Sequence, residues 1–171
     1  MQQNVSYFFR NHTVFEVHGQ RVVRRHPLAI LFSGAPDSVN AAYRTAHGIS
    51  LVKGDTIYPF EYDRNRRNFL PAHPEIRVGF AVNGAWNWSN RQEILLSGDQ
   101  FFFYDSNYNM ITFSGSLATY FPGFPSDAKG AVEENPNGGI IMVVTPKKIV
   151  RYDTRRYLVL GKKSISRTLQ C

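Results

Sequence analysis

Few side chains in this sequence stand where they could do chemistry. The single cysteine, Cys171, is the last residue, so an intramolecular disulfide, a cysteine nucleophile and a zinc-thiolate site inside the domain are excluded. The five histidines, His12, His18, His26, His47 and His73, are scattered and lack the i, i+4 spacing of a helical metal pair, so no metal is expected. The chain carries no Gly-x-Ser-x-Gly elbow, P-loop or Gly-x-Gly-x-x-Gly turn. What remains is carboxylates and arginines. In 91-RQEILLSGDQFFFYD-105 one acid, Glu93, sits among apolar residues ahead of a Gly98-Asp99 turn. It reads as a catalytic carboxylate or as an ordinary strand residue. The acids of 133-EENPNGG-139 read as part of a solvated, turn-rich loop.

The arginines set the electrostatics. Of 20 basic residues 14 are arginine, clustered in 21-RVVRR-25, 64-RNRR-67 and 151-RYDTRR-156, and the net charge is +7. A planar guanidinium fork matches phosphate oxygens better than a lysine ammonium does. The charge therefore favours acidic partners: nucleic acid, anionic membrane surfaces or phosphate-bearing cofactors.

The elements that must position these groups follow from alternation and turn chemistry. A length of 171 residues suits one domain, taken as residues 1–171, with 162–171 a basic, Ser-rich tail expected to be flexible. Residues 13-TVFEV-17 and 20-QRVVR-24 flank His18-Gly19 at hairpin spacing, and 28-LAILF-32 reads as a buried strand. Strand composition recurs at 56–62, 76–82, 92–96, 100–104, 109–113, 140–146, 148–152 and 156–161. Pro59 makes the first of these an edge strand or interrupts it. The segment 36-PDSVNAAYRTAHG-48 predicts a helix over 36–47, because Val39, Ala42, Tyr43 and Ala46 form one stripe between Pro36 and Gly48. A short helix is expected at 116–121 and a long loop at 122–139. No internal repeat is visible on a pass along the chain. The fold class expected is α+β, a predominantly antiparallel sheet with one or two short packed helices.

The order Glu93-Ile-Leu-Leu-Ser-Gly-Asp-Gln-Phe resembles the third motif of mono-ADP-ribosyltransferase toxins of the cholera and pertussis kind. In that family a strand carries Glu-x-Glu or Gln-x-Glu, then aliphatic residues, a Gly-containing turn and another strand. The resemblance extends over residues 6–104: 6-SYFFRN-11 resembles the first strand, 30-ILFSGAPDSVNAAYRTAHG-48 the Ser-Thr-Ser strand with its helix, and 57-IYPFEYDRN-65 a later strand. It implies NAD as the substrate. Glu93 would then stabilise oxocarbenium character as the glycosidic bond loosens, Ser33 would brace that carboxylate, and Arg10 would hold the NAD phosphates. The sequence departs from the family at Arg91, where Glu or Gln is usual, and at Phe32-Ser33-Gly34.

Two functions of different class are thus expected. One is an NAD-cleaving enzyme of toxin or effector type, a transferase to a protein acceptor or an NAD glycohydrolase. The other is a basic, aromatic-rich, non-catalytic binding module for a polyanion or a protein, with Trp86, Trp88, Tyr104 and Tyr108 on its surface. The N-terminal MQQNVSYFFRNH lacks the pattern of a secretory signal and no apolar run reaches a membrane span, so a soluble protein is expected, cytoplasmic or exported without a classical signal.

Overall fold

Alternation governs almost the whole chain. A computed structural model describes residues 5–19, 21–45, 48–88, 92–134 and 139–165, and sixteen strands run through them. The strands form four antiparallel sheets. The first holds β1 (Val5–Arg10), β2 (Thr13–His18) and β3 (Arg21–Pro27). In the second, β4 (Ala41–Arg44), β5 (Gly48–Lys53), β6 (Thr56–Asp63) and β7 (Asn68–Pro71) lie in order, with β8 (Ile76–Arg77) also on β6. The third orders β9 (Gly84–Asn87), β10 (Glu93–Ser97), β11 (Gln100–Asp105) and β12 (Met110–Ser116), and the fourth β13 (Gly130–Glu133), β14 (Ile140–Val144), β15 (Lys148–Asp153) and β16 (Leu158–Ser164).

Each sheet is a blade. The short strands β4, β9 and β13 pack on one another at the centre, and from each the next three strands step outward. They approach closely because they are built from small residues: a Cβ on Gly84 would lie 2.3 Å from the carbonyl oxygen of Ala128, and one on Gly130 3.3 Å from that of Ala85. Three hydrophobic seams join neighbouring blades. Val14, Leu31, Phe32, Phe60 and Phe69 join the first to the second, Tyr43, Val52, Val82 and Leu95 the second to the third, and Trp86, Phe101, Ile141 and Tyr152 the third to the fourth. Strand β10 is buried on both faces, Ile94 and Leu96 toward the last seam and Leu95 toward the middle one, as period-two alternation requires. The architecture is a four-bladed β-propeller.

The α+β expectation is therefore corrected: the two helices among the described residues, α1 (Leu28–Leu31) and α2 (Leu117–Tyr120), are single turns. The helix expected over 36–47 is not formed within its described residues. Ala41 and Tyr43 are buried while Ala42 is half-buried and Arg44 exposed, so alternation overrode the helical stripe and made β4; Ala46 and His47 lie outside the described residues. The strand expected at 28–32 is instead α1 followed by one bridge from Phe32 to Phe69. Within 76–82 only Ile76 and Arg77 pair, and the long loop at 122–139 contains β13. Pro59 sits where the partner on one side of β6 changes from β8 to β7, the interruption its missing N–H demands. The short helix near 116–121 and the hairpins at Gly19 and Gly98-Asp99 stand where the sequence puts them.

A repeat is present after all. Tyr62-Asp63, Tyr104-Asp105 and Tyr152-Asp153 end the third strand of successive blades. In each hairpin that follows, the Asp carboxylate accepts from backbone N–H groups: Asn65 and Arg66 onto Asp63, Asn107 onto Asp105, Arg155 and Arg156 onto Asp153. A residue in the left-handed region, Arg67, Asn109 or Tyr157, then turns the chain into the outer strand. Outer strands β3, β12 and β16 each bulge by one residue, Val23, Thr112 and Leu160, early in the strand. By this register β1 is the counterpart of β5, β10 and β14. The described part of the expected tail, 162–165, continues β16 to Ser164.

Candidate functional site

Glu93 opens β10, paired with Asn87 on one side and Tyr104 on the other. It shares the face of Leu95 and so points into the seam between the second and third blades, 5% exposed. Ser106 Oγ donates to its Oε1 at 3.0 Å. The Tyr43 hydroxyl of β4 lies beside the same carboxyl and favours its charged form, and Oε2 has no partner among the described residues. Burial pushes the Glu93 carboxyl up to about 7, against the opposing effects of Ser106 and Tyr43 and with a smaller push from Asp105. Burial, then the Glu93 charge, raises Tyr43 well above the phenol range, and the same causes push Tyr104 up to about 12. The Tyr104 hydroxyl donates to Asn109 Oδ1 at 2.9 Å.

Glu93 is peculiar to its blade. Four residues before the last residue of the second strand side of each hairpin, Lys53, Ser97 and Thr145, stand Ile49, Glu93 and Ile141. Two blades keep an isoleucine there, the first has Ser6, and the third puts a buried acid.

The other residues singled out in the sequence do not join it. Arg10 ends β1, exposed, at the β1–β2 turn, and Ser33 lies exposed just after α1, its N–H donating to the Phe69 carbonyl. Arg10 stands at the end of the propeller that carries the turns Asn11-His12, Gly54-Asp55 and Gly98-Asp99, and Ser33 stands beside β7 at the seam of the first two blades. Glu93 stands at the opposite end, where β10 begins. Arg91 lies outside the described residues. Of the aromatics read as a surface, Trp86 and Tyr104 are buried, Trp88 packs against Phe121 and the core of the last seam, and Tyr108 is 78% exposed.

What the sequence did not reveal is that its arginine clusters meet on one end. The hairpins β2–β3, β6–β7, β11–β12 and β15–β16 are equivalent in their blades and open on the same side. They bring out Arg21, then Arg64, Arg66 and Arg67, then Arg155 and Arg156, and the end of β4 adds Arg44. Five of its carboxylates are engaged elsewhere: Asp63, Asp105 and Asp153 hold their turns, Glu134 accepts from Arg151 at 2.7 and 3.0 Å, and Glu16 faces His18 and His26 at 3.3 Å, while Glu61 stands exposed on β6. Backbone N–H groups of Arg156 and Arg155 hold the Asp153 carboxyl below its ordinary value. Among the described residues Arg21, Arg44, Arg64 and Arg67 have no ion-pair partner. Along β3 an open groove is lined by Arg21, Val22, Val23, Arg24 and Arg25. No group of three His, Cys, Asp or Glu side chains that could hold a metal ion stands among the described residues.

No family model matches the chain. A curated relative, Matrix metalloproteinase-C of Caenorhabditis elegans, is 29% identical over 159 residues, 88% of this chain, and the chain spans only 27% of that protein's length. Among solved structures, a hemopexin fold protein, CP4, from cow pea superposes with a TM-score of 0.81 at 12% identity over 99% of this chain and 92% of that one. A 2S albumin seed protein from Dolichos matches with the same score and identity, over 99% of this chain and 93% of its own. A plant albumin from Cicer arietinum showing hemagglutination also scores 0.81, at 11% identity, over 99% and 92%. These likenesses show a hemopexin-like four-bladed propeller. They overturn the resemblance to ADP-ribosyltransferase toxins, and with it the NAD-cleaving, toxin-type function: the Glu93 stretch is a blade hairpin whose counterpart in the second blade is 49-ISLVKGDTIYPFEYD-63. Among the described residues no helix is long and apolar enough to cross a membrane.

Proposed function

We propose that this chain is a non-catalytic binding module that docks a polyanion on its arginine end. The observation that carries the reading is convergence. Arginines more than a hundred residues apart in sequence emerge from equivalent hairpins on one side, and the turn acids Asp63 and Asp153 and the nearby Glu134 are occupied by backbone N–H groups or by a partner of their own. Guanidinium forks spread over several blades suit a chain of phosphate or sulfate groups better than a single small anion. Glu93, enclosed between the second and third blades and sharing no contact with Arg10 or Ser33 among the described residues, is a seam residue in this reading.

Binding of a defined sulfated oligosaccharide, and separately of an oligonucleotide, should fall steeply with salt through counterion release. About four charge contacts correspond to a loss of roughly a hundredfold between about 50 and 200 mM salt. The double variant Arg64→Ala, Arg67→Ala should bind more weakly and lower the salt slope by about two. Lys147→Ala and Lys148→Ala, at the opposite end, should leave both quantities alone. An affinity indifferent to salt, or one equally sensitive to the lysine and arginine changes, would sink the proposal.

A further inference from the structure

Among the described residues the outer strands β3, β12 and β16 have no strand partner on one edge and β7 has only the Phe32 bridge, and all but β12 are guarded. Strand β3 carries Arg21, Arg24, Arg25 and Pro27, β16 carries Lys162 and Lys163, and β7 is four residues long and ends in Pro71 behind Arg66 and Arg67. Charges, prolines and shortness are the devices by which sheets avoid edge-to-edge pairing. Strand β12 has none of them. No charged residue occurs between Asp105 and Asp127, and the strand reads MITFSGS, with Met110 to Ser114 all exposed.

The surface beside that edge is apolar and ordered. Phe113, 40% exposed, meets Tyr120, 46% exposed, edge to face at 5.3 Å, and Tyr120 in turn packs over Gly115, where a Cβ would come within 2.6 Å of its ring. Met110 and Ile111 continue the patch along the strand, with Tyr108 at its turn. The bulge at Thr112 does not protect it, since β3 and β16 are bulged at the same place and still carry their charges.

We infer that β12 is a self-association edge, on which a second copy of this chain adds its own β12 antiparallel, continuing both blades across a two-fold axis. An isologous edge needs a strand that pairs with itself, and an uncharged strand meets its copy without like charges opposed. Electrostatics selects the same place. Each chain carries +7, so two copies repel over most of their surfaces, and the neutral edge lies where approach costs least. An acidic foreign partner would be drawn to the arginine strands rather than to β12.

The test is sedimentation equilibrium of the full chain from micromolar to millimolar concentration, at low and at raised salt. Wild type should pass from the chain mass to twice that mass and stop there, and salt should favour the dimer by screening the mutual repulsion, the reverse of its effect on polyanion binding. Ser114→Lys and Ile111→Lys, each placing a charge on the exposed edge, should keep the chain monomeric with the circular dichroism and melting of wild type, while Val23→Lys on the guarded β3 should dimerise normally. A wild type at chain mass throughout, a Ser114→Lys variant that dimerises as wild type does, or growth beyond the dimer would overturn the inference.

Discussion

Glu93→Gln should make the protein more stable above pH 7, by about 2–3 kcal/mol, although it removes a charged residue from a hydrogen-bonded position. The carboxyl is raised from 4.5 to about 7 in the folded chain, chiefly because burial penalises its charge. Below pH 4.5 the acid is neutral both folded and unfolded, and contributes no penalty. As pH rises from 4.5 to 7 the unfolded chain releases its proton first, so stability falls through that window, and above 7 the full cost of a buried anion is present. Glutamine has the shape of the protonated acid, can accept from Ser106 and carries no charge. Denaturant unfolding of wild type and variant between pH 4 and 8 should therefore give curves that coincide at the acid end and diverge toward the alkaline end. Parallel curves would mean that Glu93 takes up its proton in the folded chain as it does in the unfolded one, with no net cost of burial. Glu93→Ile, which restores the residue of the neighbouring blades at Ile49 and Ile141, should share the gain at pH 8 but leave Ser106 without its acceptor.

The second large effect belongs to Gly84→Ala. The added Cβ would lie 2.3 Å from the Ala128 carbonyl oxygen and 3.1 Å from its carbon, and both sides of this approach are backbone held at the propeller centre, where Ala85 N–H donates to Lys129 O. No rotamer change can relieve such a clash, so the third and fourth blades must move apart, at a cost of about 3 kcal/mol or more. Gly54→Ala is the matched control. Its Cβ meets nothing within 4 Å and only the positive φ is strained, worth about 1 kcal/mol. Equal melting temperatures for the two variants would mean that the central approach of β9 to the Ala128 segment is looser than described.

How much of this could be read from the sequence depends on how local the determinant is. The hairpins at His18-Gly19 and Gly98-Asp99 are legible because a Gly with positive φ and the alternation on either side specify them within a dozen residues. Blade assembly is not, since it rests on Gly84, Ala85 and Gly130 being small enough for three strands to meet, and nothing nearby in sequence marks them as central. The segment 36–47 shows the ambiguity directly: Val39, Ala42, Tyr43 and Ala46 fit a helical stripe, yet Ala41 and Tyr43 fit a strand, and the seam with Val82 and Leu95 decided. The repeat was hidden because only the Tyr-Asp pair and its turn recur, at intervals that loops make unequal. Glu93 drew attention rightly as an acid among apolar residues, and its resemblance to a catalytic motif came from the same strand-turn-strand chemistry that every blade uses. The binding surface was present as three arginine clusters, but only the common direction of the outer hairpins makes them one surface.

That common direction is also the point most open to direct measurement. Hydrogen exchange of the full chain, followed by mass spectrometry at low salt with and without a saturating sulfated polymer, reports both ends of the propeller in one experiment. The hairpins around Arg21, Arg64 to Arg67 and Asp153 to Tyr157 should slow together on binding, and those at Gly54-Asp55 and Gly98-Asp99 should exchange as before. Protection centred on the Gly-Asp turns, or binding with no protection of the arginine hairpins, would contradict the account.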